Sequence, residues 1–335
     1  MKHRTRVIQL ALLLGILLGL AGALAQSTPP PLDERTPDAS SLNPAAQESL
    51  AKGRKLAQQA LDTYPEQYPD KPLWQQAIQL GREAKRQAPG RPEPLRFLGE
   101  VYTITHWYGP AWEAWMDYLD AGGELGRNVR KAIALVGNEL GFINYQQGQT
   151  DEALRYYQRV IDLAPDNVQA YKWVGRILLE TGRPAQAIPY WRTVAERQPN
   201  DEGAQYFLEL AQDEARWGQA AVEAFREGVD YYDQGRLTRA RERFARATSL
   251  NPDYSEAWAW LGRVAFEQQD YQDAETYYGH ATRLEPDNET YSYFYQEAQR
   301  RQNPETQRSQ PQAGITGGAT GGAQAPGPQD QNSQE

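Results

Sequence analysis

Residues 255–288 read SEAWAWLGRVAFEQQDYQDAETYYGHATRLEPDN. Apolar residues recur every three or four positions, the period of an amphipathic helix, and no alternating strand pattern appears. Trp258, Leu261 and Gly262 mark the first half of the stretch. Ala274, Tyr278 and Ala281 mark the second half, and Pro286 closes it. A residue before proline is pushed out of helical backbone, so the proline ends the unit. The stretch predicts two consecutive helices.

The same markers recur upstream at a spacing of 34 residues. Gly228 precedes Gly262 by that interval, as Ala240 precedes Ala274, Phe244 precedes Tyr278 and Pro252 precedes Pro286. Gly141 and Gly175, Ala153 and Ala187, Tyr157 and Trp191, and Pro165 and Pro199 repeat it. Between these two sets every offset becomes 53, an extra 19, and from Gly99 to Gly141 and Ala111 to Ala153 it is 42. Glycine, alanine, aromatic and proline markers stay in step through both insertions, so one unit has been repeated. The units are expected at about 92–125, 134–167, 168–201, 221–254 and 255–288, with a degenerate sixth over 45–91 carrying Ala77, Ala84 and Pro89. In the unit from Ala134, a first helix should run to about Gln147 and break at Gly148. Thr150 is expected to cap the second, with Asp151 and Glu152 in the first turn where the helix dipole favours negative charge. Small Gly and Ala positions would let the helices approach, and the aromatic four residues after the Ala would fill the gap beside the next unit.

The pattern resembles the tetratricopeptide repeat family, whose Trp, Leu-Gly, Ala, Phe/Tyr, Ala and Pro positions match Trp258, Leu261-Gly262, Ala274, Tyr278, Ala281 and Pro286. The resemblance spans residues 45–302 and implies an all-α fold, a right-handed superhelix of antiparallel helix pairs. It also implies a concave side lined by the first helix of each pair. The family's groove positions fall on Arg96, Glu100 and Thr103, then Asn138, Phe142 and Tyr145, then Lys172, Arg176 and Leu179. They continue on Phe225, Val229 and Tyr232, and on Arg263 and Phe266. Two cations four residues apart beside an amide and two aromatics suit an extended peptide bearing a carboxylate. The family's carboxylate clamp has Asn where this chain has Arg176, and a solvated Lys/Arg face is the plainer alternative.

Arg236, Arg239, Arg243 and Arg246 stand three and four apart, one stripe of a second helix beside Ala240, Phe244 and Ala247. The stripe is either a solvated outer face or a surface for an anionic partner. Trp115, Trp191 and Trp258 fall at core positions of the repeat. Trp173 and Trp260 share a position of their own, open to packing or to binding.

The 19-residue insertion and the segment after Pro286 share Tyr206-Phe207 with Tyr293-Phe294 and Ala211-Gln212 with Ala298-Gln299 at equal offsets. A solenoid needs a terminal helix with one polar face. The reading is a first module over 44–217 ending in a cap helix at 203–217, and a second over 219–302 ending in another. The alternative is that both segments are eroded first helices.

The ends read differently. Lys2, Arg4 and Arg6, the apolar run Leu10–Ala25 and the small residues Ala23 and Ala25 describe a signal peptide over 1–25. An uncleaved anchor is the alternative, although 16 apolar residues are short for a span. Residues 26–43 hold three consecutive prolines and read as a linker. Residues 303–335, rich in Gln, Gly and Pro with Ile315 the sole large aliphatic, read as a disordered tail.

Composition narrows the chemistry. The 335 residues contain no cysteine, which excludes disulfides, thiolate metal sites and cysteine nucleophiles. A net charge of −9 argues against nucleic acid as partner. A mean hydropathy of −0.78 excludes a multi-span membrane protein. His3, His106 and His280 are the only histidines, and no zinc-protease, serine-hydrolase or dinucleotide motif appears. No catalytic residue, cofactor or metal is expected. The expectation is an exported, non-catalytic scaffold for a protein or peptide, in a periplasmic or secreted setting such as bacterial envelope assembly. A structural spacer held by an uncleaved N-terminus and a module for a cell-wall polymer or carbohydrate are the alternatives.

Overall fold

The computed structural model describes Leu32 and residues 42–302. The expected signal peptide and tail, and nearly all of the Pro-rich linker, lie outside these residues. Among the described residues the chain is helical throughout, with no strand. In chain order the helices are α1 (Pro44–Thr63), α2 (Pro72–Gln87), α3 (Pro92–Ile104), α4 (Tyr108–Asp120), α5 (Arg127–Gln146), α6 (Thr150–Leu163) and α7 (Val168–Glu180). They continue as α8 (Pro184–Arg197), α9 (Glu202–Trp217), α10 (Gln219–Asp233), α11 (Leu237–Leu250), α12 (Ser255–Glu267), α13 (Tyr271–Leu284) and α14 (Glu289–Gln302). The fold class is the expected one, made of antiparallel helix pairs.

One compact unit ends at Pro252 and a second begins at Asp253. In the first, Trp74, Phe97, Trp115 and Ile133 anchor a core built from α1 to α5. A neighbouring core, built mainly from α6 to α9, centres on Tyr157, Trp173, Ile177 and Trp191. In the second unit Tyr278 and Ala281 pack with Phe294, and Ala265 and Ala274 pack with Ala298.

Each repeat is closed by one contact. A Cβ built on Gly99 would lie 2.7 Å from the Trp115 ring, and one on Gly141 would lie 2.6 Å from the Tyr157 ring. The same holds at 2.6 Å for Gly175 against Trp191, Gly228 against Phe244 and Gly262 against Tyr278. The aromatic therefore rests directly on the backbone of its own partner helix, closer than any side chain there would permit. Its other side meets the following unit: Tyr157 stacks on Trp173 at 5.7 Å, Trp191 on Phe207 at 4.7 Å and Tyr278 on Phe294 at 5.3 Å. The gap-filling role expected between units, seen for these three rings, is thus accompanied by a close contact within each unit. Ala111, Ala153, Ala187, Ala240 and Ala274 are fully buried beside it.

The turn inside each pair also repeats. Gly148, Gly182 and Gly235 have φ of 75°, 68° and 70°, and the matching residues His106 and Gln269 have 56° and 64°. Left-handed backbone is open to glycine and strained for other L-residues. The break expected at Gly148 is therefore a position of the repeat, filled by glycine in three units.

Three local expectations are corrected. Thr150 is the first residue of α6 rather than its cap; Gln149 holds the cap position, without a side-chain hydrogen bond. Helix α5 starts at Arg127, well before Ala134, because Val129, Ala132 and Ile133 are buried on the preceding core. Trp115 and Trp191 are buried, but Trp258 is only partly so and stacks on His280 at 4.4 Å.

Gly175→Ala forces its methyl into Trp191 and is expected to cost about 1–3 kcal/mol, as overpacked cores do. Gly109→Ala, whose Cβ meets nothing within 4 Å, should instead be neutral or stabilise by up to about 1 kcal/mol. Urea denaturation of both variants checks the contrast; equal stabilities would show that the glycine contact does not set the helix spacing.

Candidate functional site

The first helices α5 and α7 bring together the residues the family resemblance singled out. Trp173 is buried, and around it lie Phe142 at 5.4 Å, Tyr145 at 5.0 Å and the stacked Tyr157. The Arg176 guanidinium lies over this layer, 5.3 Å from the Trp173 ring centre and 5.6 Å from that of Tyr145. Its Nε donates to Glu180 Oε1 at 2.7 Å, and the Tyr145 hydroxyl donates to Glu180 Oε2, also at 2.7 Å. Burial, and next the Glu180 carboxylate to which it donates, push the Tyr145 hydroxyl above its ordinary pKa. The Arg176 side chain is 15% exposed and that of Glu180 is 41% exposed. The result is a cation and an anion side by side at the rim of an aromatic layer.

Asn138 and Lys172 do something else. The Asn138 amide donates at 3.2 Å to Asn167 Oδ1, which also accepts from the Ala170 N–H and so caps α7. Lys172 Nζ pairs with Asp201, whose carboxylate accepts from the Ala204 N–H and caps α9. Asn138 and Lys172 occupy the same repeat position, and each fastens its helix to the start of the helix after next. Asn138 is buried. Burial alone would raise the Asp201 pKa, but the Lys172 hydrogen bond and charge outweigh it, helped by the N–H groups of Ala204 and Gly203, and hold it below its ordinary value. Sequence reasoning named Lys172 and Arg176 without their carboxylates. Asp201 was legible as a cap position, and Glu180 as the residue four after Arg176.

The remaining positions scatter. Arg96 pairs with the buried Glu100 at 3.0 Å and lines a cavity of about 500 Å³ with Tyr118, Arg127 and Asn128. Thr103 is buried and accepts from Trp115 Nε1 at 3.0 Å, so it belongs to the core, as do Leu179 and Phe225. Val229 and Tyr232 are partly buried on α10. In the second unit Arg263 lies 4.8 Å over the Trp260 ring and 3.6 Å from Glu267. Phe266 is packed edge-on against Tyr271 and Phe294, with Arg301 over its face. Trp173 thus resolves as a packing residue with its rim in the candidate site, and Trp260 as a half-buried platform.

The arginine stripe is on the surface. Arg236, Arg239, Arg243 and Arg246 are all exposed. Arg236 and Arg239 sit over the Tyr231 ring at 4.9 and 5.7 Å, and Arg243 pairs with Glu227 at 2.8 Å. Among the described residues, no group of three His, Cys, Asp or Glu could hold a metal ion, and no helix is long and apolar enough to cross a membrane.

Residues 143–202 and 225–289 match the family model described as tetratricopeptide repeat. The chain is 23% identical over 212 residues to the human protein O-mannosyl-transferase TMTC1, covering 58% of this chain and 22% of that protein. It is 30% identical over 129 residues to the BBSome complex member BBS4 homolog of Drosophila melanogaster, covering 33% of this chain and 26% of that protein. The chain therefore spans about a quarter of the length of these relatives. A solved tetratricopeptide repeat protein from Parabacteroides merdae is 14% identical, with a TM-score of 0.34, covering 77% of this chain and 100% of that one.

Because the native pKa of Asp201 is depressed, the stability it contributes is in place above about pH 4 and is lost as pH falls through the lower native value. Asp201→Asn should lower the melting temperature at neutral pH and flatten its decline on the acid side. Melting curves from neutral to strongly acidic pH check this; parallel acid limbs in wild type and variant would show that the Lys172 pair contributes nothing.

Proposed function

From a chain that belongs to the tetratricopeptide repeat family, we propose a non-catalytic adaptor that holds an extended peptide segment of a partner protein on the α5–α7 face. Repeats of this family make protein–protein interaction scaffolds. The observation that carries the finer reading is the Phe142–Tyr145–Trp173 layer with Arg176 and Glu180 at its rim. An extended main chain offers alternating acceptors and donors. The guanidinium supplies N–H groups to a carbonyl or terminal carboxylate, and Glu180 accepts from an amide. The aromatic rim covers an apolar side chain of the peptide. The acidic net charge supports protein over nucleic acid as the partner.

The setting proposed is outside the cytoplasm, in a periplasmic or secreted context such as envelope assembly. Its support is the basic, apolar, small-residue pattern of residues 1–25. A second reading, binding of an anionic wall polymer, is favoured by the exposed Arg236–Arg246 stripe.

Affinity capture with the full chain from extracts of its own cells, beside fractionation of those cells, tests both parts. One enriched protein should be lost with Phe142→Ala/Arg176→Ala and kept with Arg239→Glu/Arg243→Glu. The reverse pattern, with polymer retained by wild type, would replace the peptide reading by the polymer reading. Capture of nothing would leave the spacer role. Recovery of the chain in the cytoplasm with residues 1–25 intact would remove the exported setting.

A further inference from the structure

The Trp173, Arg176 and Glu180 set on α7 recurs on α12 as Trp260, Arg263 and Glu267, each residue displaced by 87 positions. The interval is not confined to these three. It relates Gly141 to Gly228, Tyr157 to Phe244, Trp191 to Tyr278 and Phe207 to Phe294. It also relates two matching helix ends. Phe207 of α9 stacks on Trp191 at 4.7 Å with Tyr206 edge-on to it at 5.2 Å and 80°. Phe294 of α14 stacks on Tyr278 at 5.3 Å with Tyr293 edge-on at 5.2 Å and 79°. Residues 134–217 and 221–302 are thus two copies of one block of two repeats and a closing helix.

Across the repeats the polar set is kept selectively. The corresponding positions are Phe97, Glu100 and Ile104 on α3, Glu139, Phe142 and Gln146 on α5, and Arg226, Val229 and Asp233 on α10. Packing at those positions is satisfied without a Trp-Arg-Glu set, so the fold does not demand one. On α7 and α12 the three side chains are arranged alike, with a hydrogen-bonded pair over a buried indole on α7 and a looser ion pair over a half-buried indole on α12. The guanidinium lies over the indole at 5.3 and 4.8 Å and beside the carboxylate at 2.7 and 3.6 Å. Arginine side chains are 15% and 27% exposed, and glutamates 41% and 42%.

We propose that the chain carries two equal recognition sites, Trp173–Arg176–Glu180 and Trp260–Arg263–Glu267, that take the same extended peptide motif. The inference rests on the reading of the α7 face as a peptide site. In each, the arginine, held flat by the indole, donates to a main-chain carbonyl, and the neighbouring glutamate accepts from a main-chain N–H.

The probe is a displayed library of random peptides about 12 residues long, selected on the full chain; one selected peptide is then synthesised and titrated by calorimetry. Wild type should bind two peptides per chain. Arg176→Ala and Arg263→Ala should each bind one, and the double variant none. Glu180→Gln and Glu267→Gln, which keep shape, should each weaken one of the two sites by about tenfold. Circular dichroism melts confirm that each variant is folded. Binding of a single peptide, lost with Arg176→Ala and untouched by Arg263→Ala, overturns the two-site inference and leaves the α7 peptide site standing. Binding that survives the double variant, or a library that yields no peptide, overturns both.

Discussion

The contact of an aromatic ring with a glycine backbone sets the geometry of this chain. In five repeats a ring of Trp, Tyr or Phe lies so near a glycine that a Cβ there would stand 2.6–2.7 Å from its atoms. Such an approach draws the two helices of a pair together and buries the small Ala positions between them. It also fixes the ring's plane, so that its far side becomes a surface for the next repeat. Tyr157, Trp191 and Tyr278 in this way template the helix that follows, and the hydrogen bonds of Asn138 and Lys172 add polar ties to the first two of these ring contacts.

The candidate site grows out of that stack. Gly141 carries Tyr157, Tyr157 carries Trp173, and Trp173 carries the Arg176 guanidinium. A core contact is in this way handed outward to a charged group at the surface. Long arginine side chains lose rotamer freedom when they bind. One already laid on an indole and tied to Glu180 has lost part of that freedom before a ligand arrives. On α12 Arg263 lies over a half-buried indole and 3.6 Å from Glu267, a looser version of that restraint.

Polar ties do a separate job. Asn138 and Lys172 each reach the cap residue of the helix after next, Asn167 and Asp201. One cation of the expected pair thus closes a helix start, and its neighbour one turn away faces outward. Spacing along a helix places both on one face, but it does not say that the carboxylate of Lys172 is the cap of another helix while that of Arg176 is on its own helix.

The repeat length, the unit boundaries near their prolines and the all-α class were legible in the residues, because a 34-residue period with four marker types in step leaves few ways to fold; the seat of each aromatic on the glycine of its own repeat came from the packing. The early start of α5, the cap at Gln149 rather than Thr150, and the core burial of Thr103 were not legible, since each depends on what a neighbouring helix covers. So do the roles of Asn138, Lys172 and Arg176. Periodicity determines which side of a helix a residue occupies; only packing decides whether the group that meets it there is a cap, a carboxylate or solvent, because partners such as Asn167 and Asp201 lie 29 positions away in the chain and are brought in by the fold.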